Sequence, residues 1–482
     1  MKAALIFSVA LLISISPLAR AQPQETNGQQ APEQRPPNIV IILADDLGYG
    51  DLGVYGNHEI QTPRLNRMAA EGVRLTEFYS VSPTCTPARA ALLTGRYPRR
   101  SGMTRVIVAK EKWGLPASEI LLAEVLQKQG YATTCIGKWH LGGRQPYRPR
   151  RHGFDSYFGV LYSNDMSLLP WVKWPRLELW RDDKSVESPA RVETLTRRYT
   201  EEAVAFIERN RERPFFLYLP HTMPHTPVKP SARFQGKSAH GPYGDVVEEI
   251  DWRTGEILDA LRANRIEDNT LVIFTSDNGP WVAGSNKRRI KGGSAGPLRG
   301  AKNTTWEGGV RVPFLARWPG RLPAGTVQTG IASLMDLFTT AVELAGAGVP
   351  NDRVIDGRNI LPLLEGKQGS PHDTLYYYFE QSVFAVRSGD WKLHFQKREL
   401  KPNDRPRSPQ RCEPPELYNL AADLAEQNNV AANHADIVTR LTGMAREFDA
   451  AVDPAMKLPS PSWSVFTGLL TQAPKDPHEV PR

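Results

Sequence analysis

The chain has 482 residues, 40% of them hydrophobic and 23% charged, a composition able to bury a sizeable globular core. This length predicts one large domain and a smaller one rather than a single compact core. The formal net charge of +8 favours anionic partners, although ordinary surface lysines and arginines explain it equally well. The sequence has no aromatic-basic module, which excludes nucleic acid as the expected partner.

The chain opens with a predicted signal peptide over residues 1–21. Lys2 supplies the positive charge, residues 3–16 are apolar, and Ala19-Arg20-Ala21 forms a small-x-small cleavage site. The apolar run is shorter than the ~20 residues of a membrane-spanning helix, and no other stretch predicts a membrane span. We therefore expect a periplasmic or secreted protein that begins near Gln22, its net charge reduced from +8 to +6 by the loss of one lysine and one arginine.

Residues 22–37 are polar and rich in proline and glutamine, which predicts a disordered leader. Over residues 38–350, short apolar runs alternate with helical patterns. This alternation predicts a large α/β domain with a mostly parallel sheet. The predicted strands are residues 38–44, 131–137, 215–219, 271–275 and 314–316, and the predicted helices are residues 63–71, 120–129, 195–210, 245–262 and 334–345.

The pattern changes after residue 350 and predicts a small C-terminal α+β domain over residues 351–453. Residues 454–482 are rich in proline and predict an extended tail. Three cysteines are too few for a disulfide framework: Cys135 falls in a predicted core strand, and Cys412 falls in a proline-rich loop. The predicted C-terminal elements are strands at residues 375–379, 383–387 and 391–395, and a helix at residues 436–452.

Two pairs of oxygen-bearing side chains follow predicted strands. Asp45 and Asp46 come directly after residues 38–44, while Asp277 and Asn278 come after the predicted strand that ends at residue 275. Such residues beside glycines also start turns, and one pair alone would be explained that way. Two pairs at equivalent strand ends, where α/β sheets bind their ligands, favour a site for a hard divalent cation.

The third cysteine, Cys85, lies at a predicted helix start. Thr86 is a suitable N-cap, Pro87 suits the first helical position, and Gly95 suits the C-terminal stop. The free N–H groups of a helix start favour negative charge, and Arg89 adds a cation in the first turn. This pattern predicts an anion site or a reactive thiolate, whereas a cysteine taken alone is more often a buried structural residue.

Three further segments carry basic side chains beyond predicted strands. Lys138 and His140 fall on one face if their strand stays extended, which suits oxyanion binding and proton transfer. His225 lies in the proline-bounded loop 220–227 after another predicted strand. Lys302 carries no such signal, because most lysines are solvated surface groups.

Five motifs in this chain resemble those of the formylglycine-dependent sulfatases. The resemblance runs from about residue 37 to residue 451, is nearest to arylsulfatase A and N-acetylgalactosamine-6-sulfatase within that family, and implies an alkaline-phosphatase-like fold. Because five separate motifs occur in the family order, chance is a poor explanation. The motifs are residues 45–51 (DDLGYGD), 85–89 (CTPAR), 137–142 (GKWHLG), 275–280 (TSDNGP) and 304–311 (TTWEGGVR).

The resemblance implies that a maturing enzyme oxidises Cys85 to formylglycine (3-oxoalanine). One hydroxyl of the hydrated aldehyde then attacks sulfur, the alcohol leaves, and the other hydroxyl collapses to expel sulfate. It also implies one metal ion, for which Ca²⁺ suits the oxygen ligands better than Mg²⁺. The implied ligands are Asp45, Asp46, Asp277, Asn278 and the modified residue 85.

The remaining roles implied by the resemblance concern the diol, the leaving group and the sulfate. His140 is the base for collapse of the diol, which Arg89 and Lys138 help to hold. His225 protonates the leaving oxygen, Lys302 binds sulfate, and Ser163 is a pocket serine. Ala88 replaces the serine that often precedes the motif arginine, at a position that varies within the family.

We expect the substrate to be a sulfated sugar or glycan, with aryl sulfates accepted as well. Export and positive charge favour this interpretation. The tryptophans in the insert after Ser163 can stack on sugar rings, but it is equally plausible that they pack this insert against the large domain. Other functions compatible with the sequence are a phosphodiesterase or phosphonate monoester hydrolase of the same superfamily, and an unmodified protein that only binds sulfated glycans. The insert carries Trp171, Trp174 and Trp180 among Lys173, Arg176 and Arg181.

Overall fold

The computed structural model describes Met1 and residues 35–167, 176–282, 291–400 and 408–452. Residues 36–482 cluster as one unit. The predicted signal peptide, nearly all of the predicted leader, the tail from residue 454, and Trp171, Lys173 and Trp174 lie outside the described residues. The predictions made for those segments therefore stay predictions.

Sixteen strands occur among the described residues. In chain order they are β1 (Asn38–Ala44), β2 (Val73–Leu75), β3 (Phe78–Tyr79), β4 (Ala132–Lys138), β5 (Ser156–Val160), β6 (Leu179–Arg181), β7 (Lys184–Glu187), β8 (Phe215–Pro220), β9 (Thr270–Ser276), β10 (Phe314–Arg317), β11 (Thr326–Gln328), β12 (Ala332–Ser333), β13 (Thr374–Phe379), β14 (Ser382–Ser388), β15 (Trp391–Lys397) and β16 (Gln410–Asn419).

Ten α-helices accompany these strands in the same part of the chain. They are α1 (Pro63–Ala70), α2 (Cys85–Thr94), α3 (Pro98–Ser101), α4 (Leu122–Lys128), α5 (Leu195–Asn210), α6 (Pro242–Ala263), α7 (Glu307–Val310), α8 (Asp336–Leu344), α9 (Leu361–Leu364) and α10 (Ala435–Ala451). The predicted strands and the longer predicted helices are found, with ends that differ by up to three residues. None of the helices in the described ranges is long and apolar enough to span a membrane.

The large sheet has ten strands in the order β11-β2-β10-β9-β1-β8-β4-β5-β6-β7. Its centre is parallel, because β1 pairs with both β8 and β9 while β4 pairs with both β8 and β5. Strands β6, β7 and β10 run antiparallel to their neighbours. The mostly parallel sheet predicted from the alternating pattern is confirmed.

Both faces of this sheet are buried, which explains why its strands are continuously apolar. Alternate residues of β1 enter opposite cores: Ile39, Ile41 and Leu43 pack on one side, and Val40 and Ile42 on the other. Helices α2, α4 and α8 contribute to the first core, and helices α1, α5 and α6 contribute to the second. The result is a sheet between two helical layers. The helices cover its faces, and the loops that follow the strands lie at its edge.

The C-terminal region forms a separate antiparallel sheet in the order β13-β14-β15-β16. Helix α10 covers it through Leu441 and Ala445, which pack on Val386, Leu393 and Leu417. The predicted small α+β unit is confirmed as an architecture. The loop predicted around Cys412 is wrong, because this residue is buried within β16, the edge strand that also carries two prolines.

Candidate functional site

Asp45, Asp46, Asp277 and Asn278 lie together at the carboxyl edge of the large sheet. Strands β1 and β9 are parallel neighbours with Ala44 opposite Ser276, so the residues that follow them meet. The Asp46 backbone N–H donates to Asp277 Oδ1 at 3.1 Å, and Asn278 Nδ2 donates to Asp46 Oδ1 at 2.7 Å. All four side chains are buried.

Three cations from other segments meet these carboxylates. Lys138, the last residue of β4, donates to Asp45 Oδ2 at 2.6 Å, and Lys302 donates to Asp46 Oδ2 at 2.7 Å. Arg89 donates to Asp277 Oδ2 through both Nε (3.0 Å) and Nη2 (2.7 Å). Its Nη1 donates to the carbonyl of Lys138 at 2.8 Å, so the guanidinium joins α2 to the ends of β4 and β9.

Burial and these neighbours separate the pKa values of the carboxyl groups. Burial tends to raise the pKa of Asp45, but the surrounding cations, Lys138 first among them, hold it well below its usual range. Burial raises the pKa of Asp277 to about 6 despite the charge of Arg89. Asp45 and Asp277 are therefore charged at neutral pH, and the three aspartates pair with the three cations.

Helix α2 begins two residues earlier than its sequence pattern predicts. Thr84 has an extended backbone and its carbonyl accepts the Ala88 N–H at 3.1 Å, so Thr84 occupies the N-cap position and Cys85 the first helical position. The prediction of Thr86 as N-cap is wrong because its hydroxyl bonds outside the helix. The predicted stop at Gly95 is confirmed by its left-handed φ of 68°.

Cys85 is 2% exposed, and its Sγ lies within 4.8 Å of carboxylate oxygens of Asp45 and Asp46. Burial raises the pKa of its thiol, and the neighbouring Lys138 and Lys302 do not reverse the shift. The helix start therefore does not make this cysteine a thiolate at neutral pH, in contrast to one interpretation of its sequence pattern.

The Thr86 hydroxyl connects α2 to the segment that carries His140. It donates to the His140 carbonyl at 2.9 Å and accepts the Ile107 N–H at 3.2 Å. The condition that Lys138 and His140 share one face of an extended strand is not met, because β4 ends at Lys138 and His140 has a left-handed φ of 59°. This turn aims the two side chains independently.

The His140 ring is buried, and one of its nitrogens is already used. Nε2 lies 2.9 Å from the Ile107 carbonyl, so it carries the proton, and Nδ1 has no hydrogen-bond partner among the described residues. Burial, together with the charges of Lys138 and Arg89, lowers the pKa of His140 well below its ordinary value. His140 is therefore neutral and keeps a free lone pair on Nδ1.

His225, Lys302 and Ser163 complete the predicted set. His225 Nδ1 lies 2.6 Å from the Thr226 carbonyl, and its Nε2 lies 3.6 Å from Asp46 Oδ2. The Lys302 N–H donates to the Pro280 carbonyl at 3.0 Å, which ties its loop to the segment after β9. Ser163 is 2% exposed, and its hydroxyl has no partner in the described ranges. It lines a cavity instead of joining the carboxylate cluster.

The aspartates and the asparagine suit a hard divalent cation. Two buried oxygens, Asp45 Oδ1 and Asn278 Oδ1, accept no hydrogen bond among the described residues, although Arg89 Nη2 lies 3.4 Å from Asp45 Oδ1 as an ion pair. Ligand atoms of Asp45, Asp46 and Cys85 are grouped closely enough to share one ion. Buried oxygens without partners cost free energy unless a ligand satisfies them, so the residues present fit such a metal.

Two contributors to the site carry no recognisable sequence signal. The Ile107 carbonyl fixes the His140 ring, and a carbonyl has no side-chain signature. Thr86 was recognised only as a helix cap, since nothing in its spacing indicates a contact 54 residues along the chain. Lys302, which spacing alone does not distinguish, was found only through the resemblance.

The chain matches two family models. Residues 37–347 match the model described as sulfatase, and residues 370–469 match the model described as the C-terminal region of aryl-sulfatase.

Curated relatives and a solved structure agree with this assignment. The chain is 45% identical to human (Homo sapiens) N-acetylgalactosamine-6-sulfatase over 382 residues, covering 75% of this chain and 72% of that protein. It is 38% identical to the steryl-sulfatase of Mus musculus over 526 aligned positions, covering 88% and 84%. The PsFucS1 sulfatase from Pseudoalteromonas sp. superposes with a TM-score of 0.80 at 30% identity, covering 88% and 92%. The alkaline-phosphatase-like fold implied by the motifs is thereby confirmed.

Proposed function

Since the chain belongs to the sulfatase family and hydrolyses sulfuric esters, we propose that its nucleophile is a formylglycine made from Cys85. The observation that carries this proposal is the position of Cys85, buried at the start of α2 with its Sγ within 4.8 Å of carboxylate oxygens of Asp45 and Asp46. Burial also raises the pKa of its thiol. A thiol that stays protonated is a weak nucleophile. The hydrated aldehyde instead supplies one hydroxyl to attack sulfur and a second to expel sulfate.

The cations of the site bind and orient the sulfate group. Lys138 and Lys302 approach Asp45 and Asp46 from different segments, so their ammonium groups lie on the carboxylate cluster that faces residue 85. Arg89 holds Asp277 through two hydrogen bonds and fixes the start of α2 relative to β9. Preorganised positive charge of this kind stabilises charge that develops on the sulfate oxygens.

His140 is the base that accepts a proton when the diol collapses. Its Nε2–H is fixed on the Ile107 carbonyl, so Nδ1 is the nitrogen that accepts the proton. His225 is the acid for the leaving oxygen, since its Nδ1 is held by the Thr226 carbonyl and Nε2 remains to deliver a proton. Two histidines held by different backbone carbonyls can thus serve two different steps.

Asp45, Asp46, Asp277, Asn278 and modified residue 85 would hold one divalent cation, which we propose to be Ca²⁺ rather than Mg²⁺. The ion would polarise sulfate oxygens and neutralise their charge. The charges of the site support a divalent ion, because three aspartates already balance three cations. Adding a dication together with sulfate, the dianionic product, keeps this balance, whereas adding sulfate alone would not.

The natural substrate is proposed to be a sulfated sugar or glycan. N-acetylgalactosamine-6-sulfatase, by its name, acts on a sulfated amino sugar, although steryl-sulfatase, also similar, is named for a sterol ester. Trp180 supports the sugar, because its half-buried ring lines the cavity that also contains Ser163. Aromatic rings in such cavities stack on sugar faces, and they stack on aryl groups too.

Export and maturation complete the proposal. The N-terminal charge, apolar run and small-x-small site support a periplasmic or secreted location. Formation of formylglycine requires a sulfatase-maturing enzyme as a partner, and this partner must act before Cys85 becomes buried in α2. N-terminal sequencing of protein exported by cells checks the predicted start near Gln22.

The test of the nucleophile is the mass of the peptide that contains residue 85. Protein produced with a maturing enzyme should give a peptide lighter than the encoded cysteine peptide, and its activity on 4-nitrophenyl sulfate should scale with the lighter fraction. Cys85→Ala should fold, as judged by circular dichroism, and lose turnover. Cys412→Ala, which changes a buried free thiol in β16, is the matched control and should remain active. Near-native turnover by Cys85→Ala would refute the nucleophile.

A comparison of sulfate and phosphate esters with the same leaving group tests the reaction class. A sulfatase should hydrolyse 4-nitrophenyl sulfate faster than 4-nitrophenyl phosphate and its phosphodiester. The opposite order would favour the phosphodiesterase or phosphonate monoester hydrolase alternative.

A further inference from the structure

A cavity of about 280 Å³ lies outside the carboxylate cluster, and its wall includes the residues that directly follow β5, Leu161 to Ser163. Its walls come from four segments of the chain, which contribute Lys110, Arg144, Ser163, Arg176 and Trp180 among others. This volume is near the lower limit of small-molecule pockets, about 300–1,000 Å³. It therefore has room for one ring-sized group.

Two backbone contacts connect this cavity to the catalytic residues. The His140 N–H donates to the carbonyl of Leu161, a residue of the cavity wall, at 3.2 Å. Ile107, whose carbonyl fixes the His140 ring, lies two residues before Ala109 in the same wall. Thr86, the neighbour of Cys85, also bonds to the His140 carbonyl. Hydrogen bonds thus tie the cavity wall to the segments that carry His140 and Cys85.

The cavity contains a polar group that lacks a partner. The Ser163 hydroxyl is 2% exposed, lines the cavity, and has no hydrogen bond among the described residues. Buried hydroxyls in folded proteins nearly always have partners. A hydroxyl or oxyanion of a bound molecule would provide one.

The charged residues of the wall favour a negatively charged group. Arg144 and Arg176 are exposed, and neither forms an ion pair with a carboxylate in the described part of the chain. Glu111, on the same wall, already forms an ion pair with Arg105. With Lys110 also present, the cations of the wall outnumber the carboxylates of Glu111 and Glu178.

Trp180 gives the cavity wall a flat aromatic surface. The guanidinium of Arg148 lies 4.2 Å from the centre of the Trp180 ring, so one ring face is already covered. The cavity borders the same ring, which leaves its other side or edge for a ligand.

We propose that this cavity binds the saccharide unit that carries the sulfate ester, and that this unit or its neighbour bears a second anionic substituent held by Arg144 and Arg176. The proposal rests on the proposed function, since it assigns the leaving group of that reaction. It narrows the substrate from any sulfate ester to a saccharide with a second carboxylate or sulfate. Ser163 accepts or donates one hydrogen bond to the same unit.

The test measures binding to the Cys85→Ala protein, so that it does not depend on formylglycine or turnover. The probes are a monosulfated N-acetylhexosamine, its disulfated form, and a monosulfated disaccharide with a uronate. We expect Cys85→Ala protein to prefer both dianionic probes, and Arg144→Gln or Arg176→Gln to reduce that preference about tenfold, as expected for a charge-assisted hydrogen bond. Arg151→Gln, an exposed arginine outside the cavity, is the control and should keep the preference.

The possible outcomes test the binding proposal for the cavity separately from the formylglycine mechanism. A preference for only one dianionic probe, lost in the arginine variants, supports the cavity and identifies the anion as sulfate or carboxylate. Equal affinities for all three probes, or a preference that survives the double arginine variant, would overturn the proposal. Wild-type turnover of 4-nitrophenyl sulfate reports separately on the proposed nucleophile, so a failure of that reaction does not affect the binding result.

Discussion

His140 and His225 differ in what holds their rings, although both follow strands of the same sheet. The His140 ring is fixed by the Ile107 carbonyl, 33 positions earlier in the chain. The His225 ring is fixed by the carbonyl of the next residue, Thr226, and its free nitrogen lies 3.6 Å from Asp46. Burial and the charges of Lys138 and Arg89 lower the pKa of His140 and keep it neutral. The two rings therefore differ in which backbone carbonyl fixes them and in which charged groups they face.

The first prediction concerns His225 as the acid. His225→Ala should slow hydrolysis of an alkyl or sugar sulfate about 100-fold or more, because a basic leaving oxygen needs a proton. Hydrolysis of 4-nitrophenyl sulfate should fall far less, since its phenolate leaves without one. The measurement is kcat on a series of sulfates with leaving groups of increasing pKa. An equal loss across that series would rule His225 out as the acid.

The second prediction concerns the metal. Removal of divalent cations with a chelator should abolish most of the activity, and Ca²⁺ should restore it better than Mg²⁺ because the site offers carboxylate and amide oxygens. Metal analysis of the untreated protein should find about one Ca²⁺ per chain. Asp45→Asn and Asn278→Ala, which change side chains with an oxygen that accepts no hydrogen bond among the described residues, should both lower the metal content. Unchanged activity after complete metal removal would contradict the assignment.

At the scale of elements, α2 acts as a rigid link whose contacts run in three directions. Arg89 contacts the end of β4 and the residue that follows β9, and Cys85 lies among the candidate metal ligands. The Thr86 hydroxyl contacts the His140 carbonyl and the Ile107 N–H. Every residue of the helix is buried. The apolar residues of α2 pack in two hydrophobic clusters, and this close packing fixes the positions of its polar side chains.

The third prediction tests this link. Thr86→Val should lower the free energy of unfolding by about 1–3 kcal/mol, because the Ile107 N–H would be left buried without a partner. It should also lower kcat about tenfold, since Ile107 positions the His140 ring. Thr94→Val is the matched control in the same helix: its hydroxyl only donates to the Ala90 carbonyl, which a backbone N–H already satisfies, so its effect should stay below about 1 kcal/mol. Equal effects of the two variants in denaturant unfolding would argue against the link.

The sequence predicts elements well where one periodicity dominates. Strand β1 coincides with the predicted run, and α5 coincides with its predicted range. Strand β16 was missed because its prolines, such as Pro414, resemble a loop, whereas an edge strand tolerates proline on its outer side. Thr86 was misassigned because two threonines flank Cys85 and both suit an N-cap. Only the tertiary contact to His140 decides between them.

At the scale of the whole molecule, a buried ionic cluster joins the loop after Lys302 to the C-terminal sheet. Lys392 of β15 lies 2.7 Å from Glu307 and 3.3 Å from Glu426. Glu426 also accepts the Glu307 backbone N–H at 2.7 Å, and His394 Nε2 lies 2.8 Å from it. The C-terminal sheet thereby holds the start of α7, five residues after Lys302.

This cluster could not be predicted from the sequence. Its members lie up to 119 positions apart, and Glu307 and Glu426 look like ordinary glutamates in the chain. The motif around Glu307 was found through the resemblance, but its partner Lys392 lies in a plain strand pattern. Local periodicity identifies which residues are buried, whereas pairing between distant charges depends on the folded topology. The division into two domains at residue 350 stays a prediction.

The last prediction follows from this cluster. Lys392→Met leaves the Glu307 and Glu426 carboxylates buried without their shared cation, and removal of one partner from a buried ion pair costs about 3–5 kcal/mol. Lys397→Met, on the same strand, removes a partly exposed pair with Glu416 and should cost less than about 1 kcal/mol. The measurement is the free energy of unfolding in denaturant for both variants.

The pH dependence of that difference tests its electrostatic origin. Burial tends to raise the pKa of Glu307, but Lys392, Arg311 and Arg387 outweigh it and hold the pKa well below the ordinary value. A carboxyl with a depressed pKa stabilises the fold above the unfolded-state pKa of about 4.3 and loses that contribution as the pH falls. Without Lys392 the Glu307 pKa rises, so as the pH falls this carboxyl is protonated at a higher pH in the variant. Protonation removes the buried unpaired charge and with it part of the destabilisation. The deficit of Lys392→Met relative to wild type should therefore be largest near pH 8 and smaller near pH 4, while a deficit that is constant over this range would indicate lost packing instead of lost charge pairing.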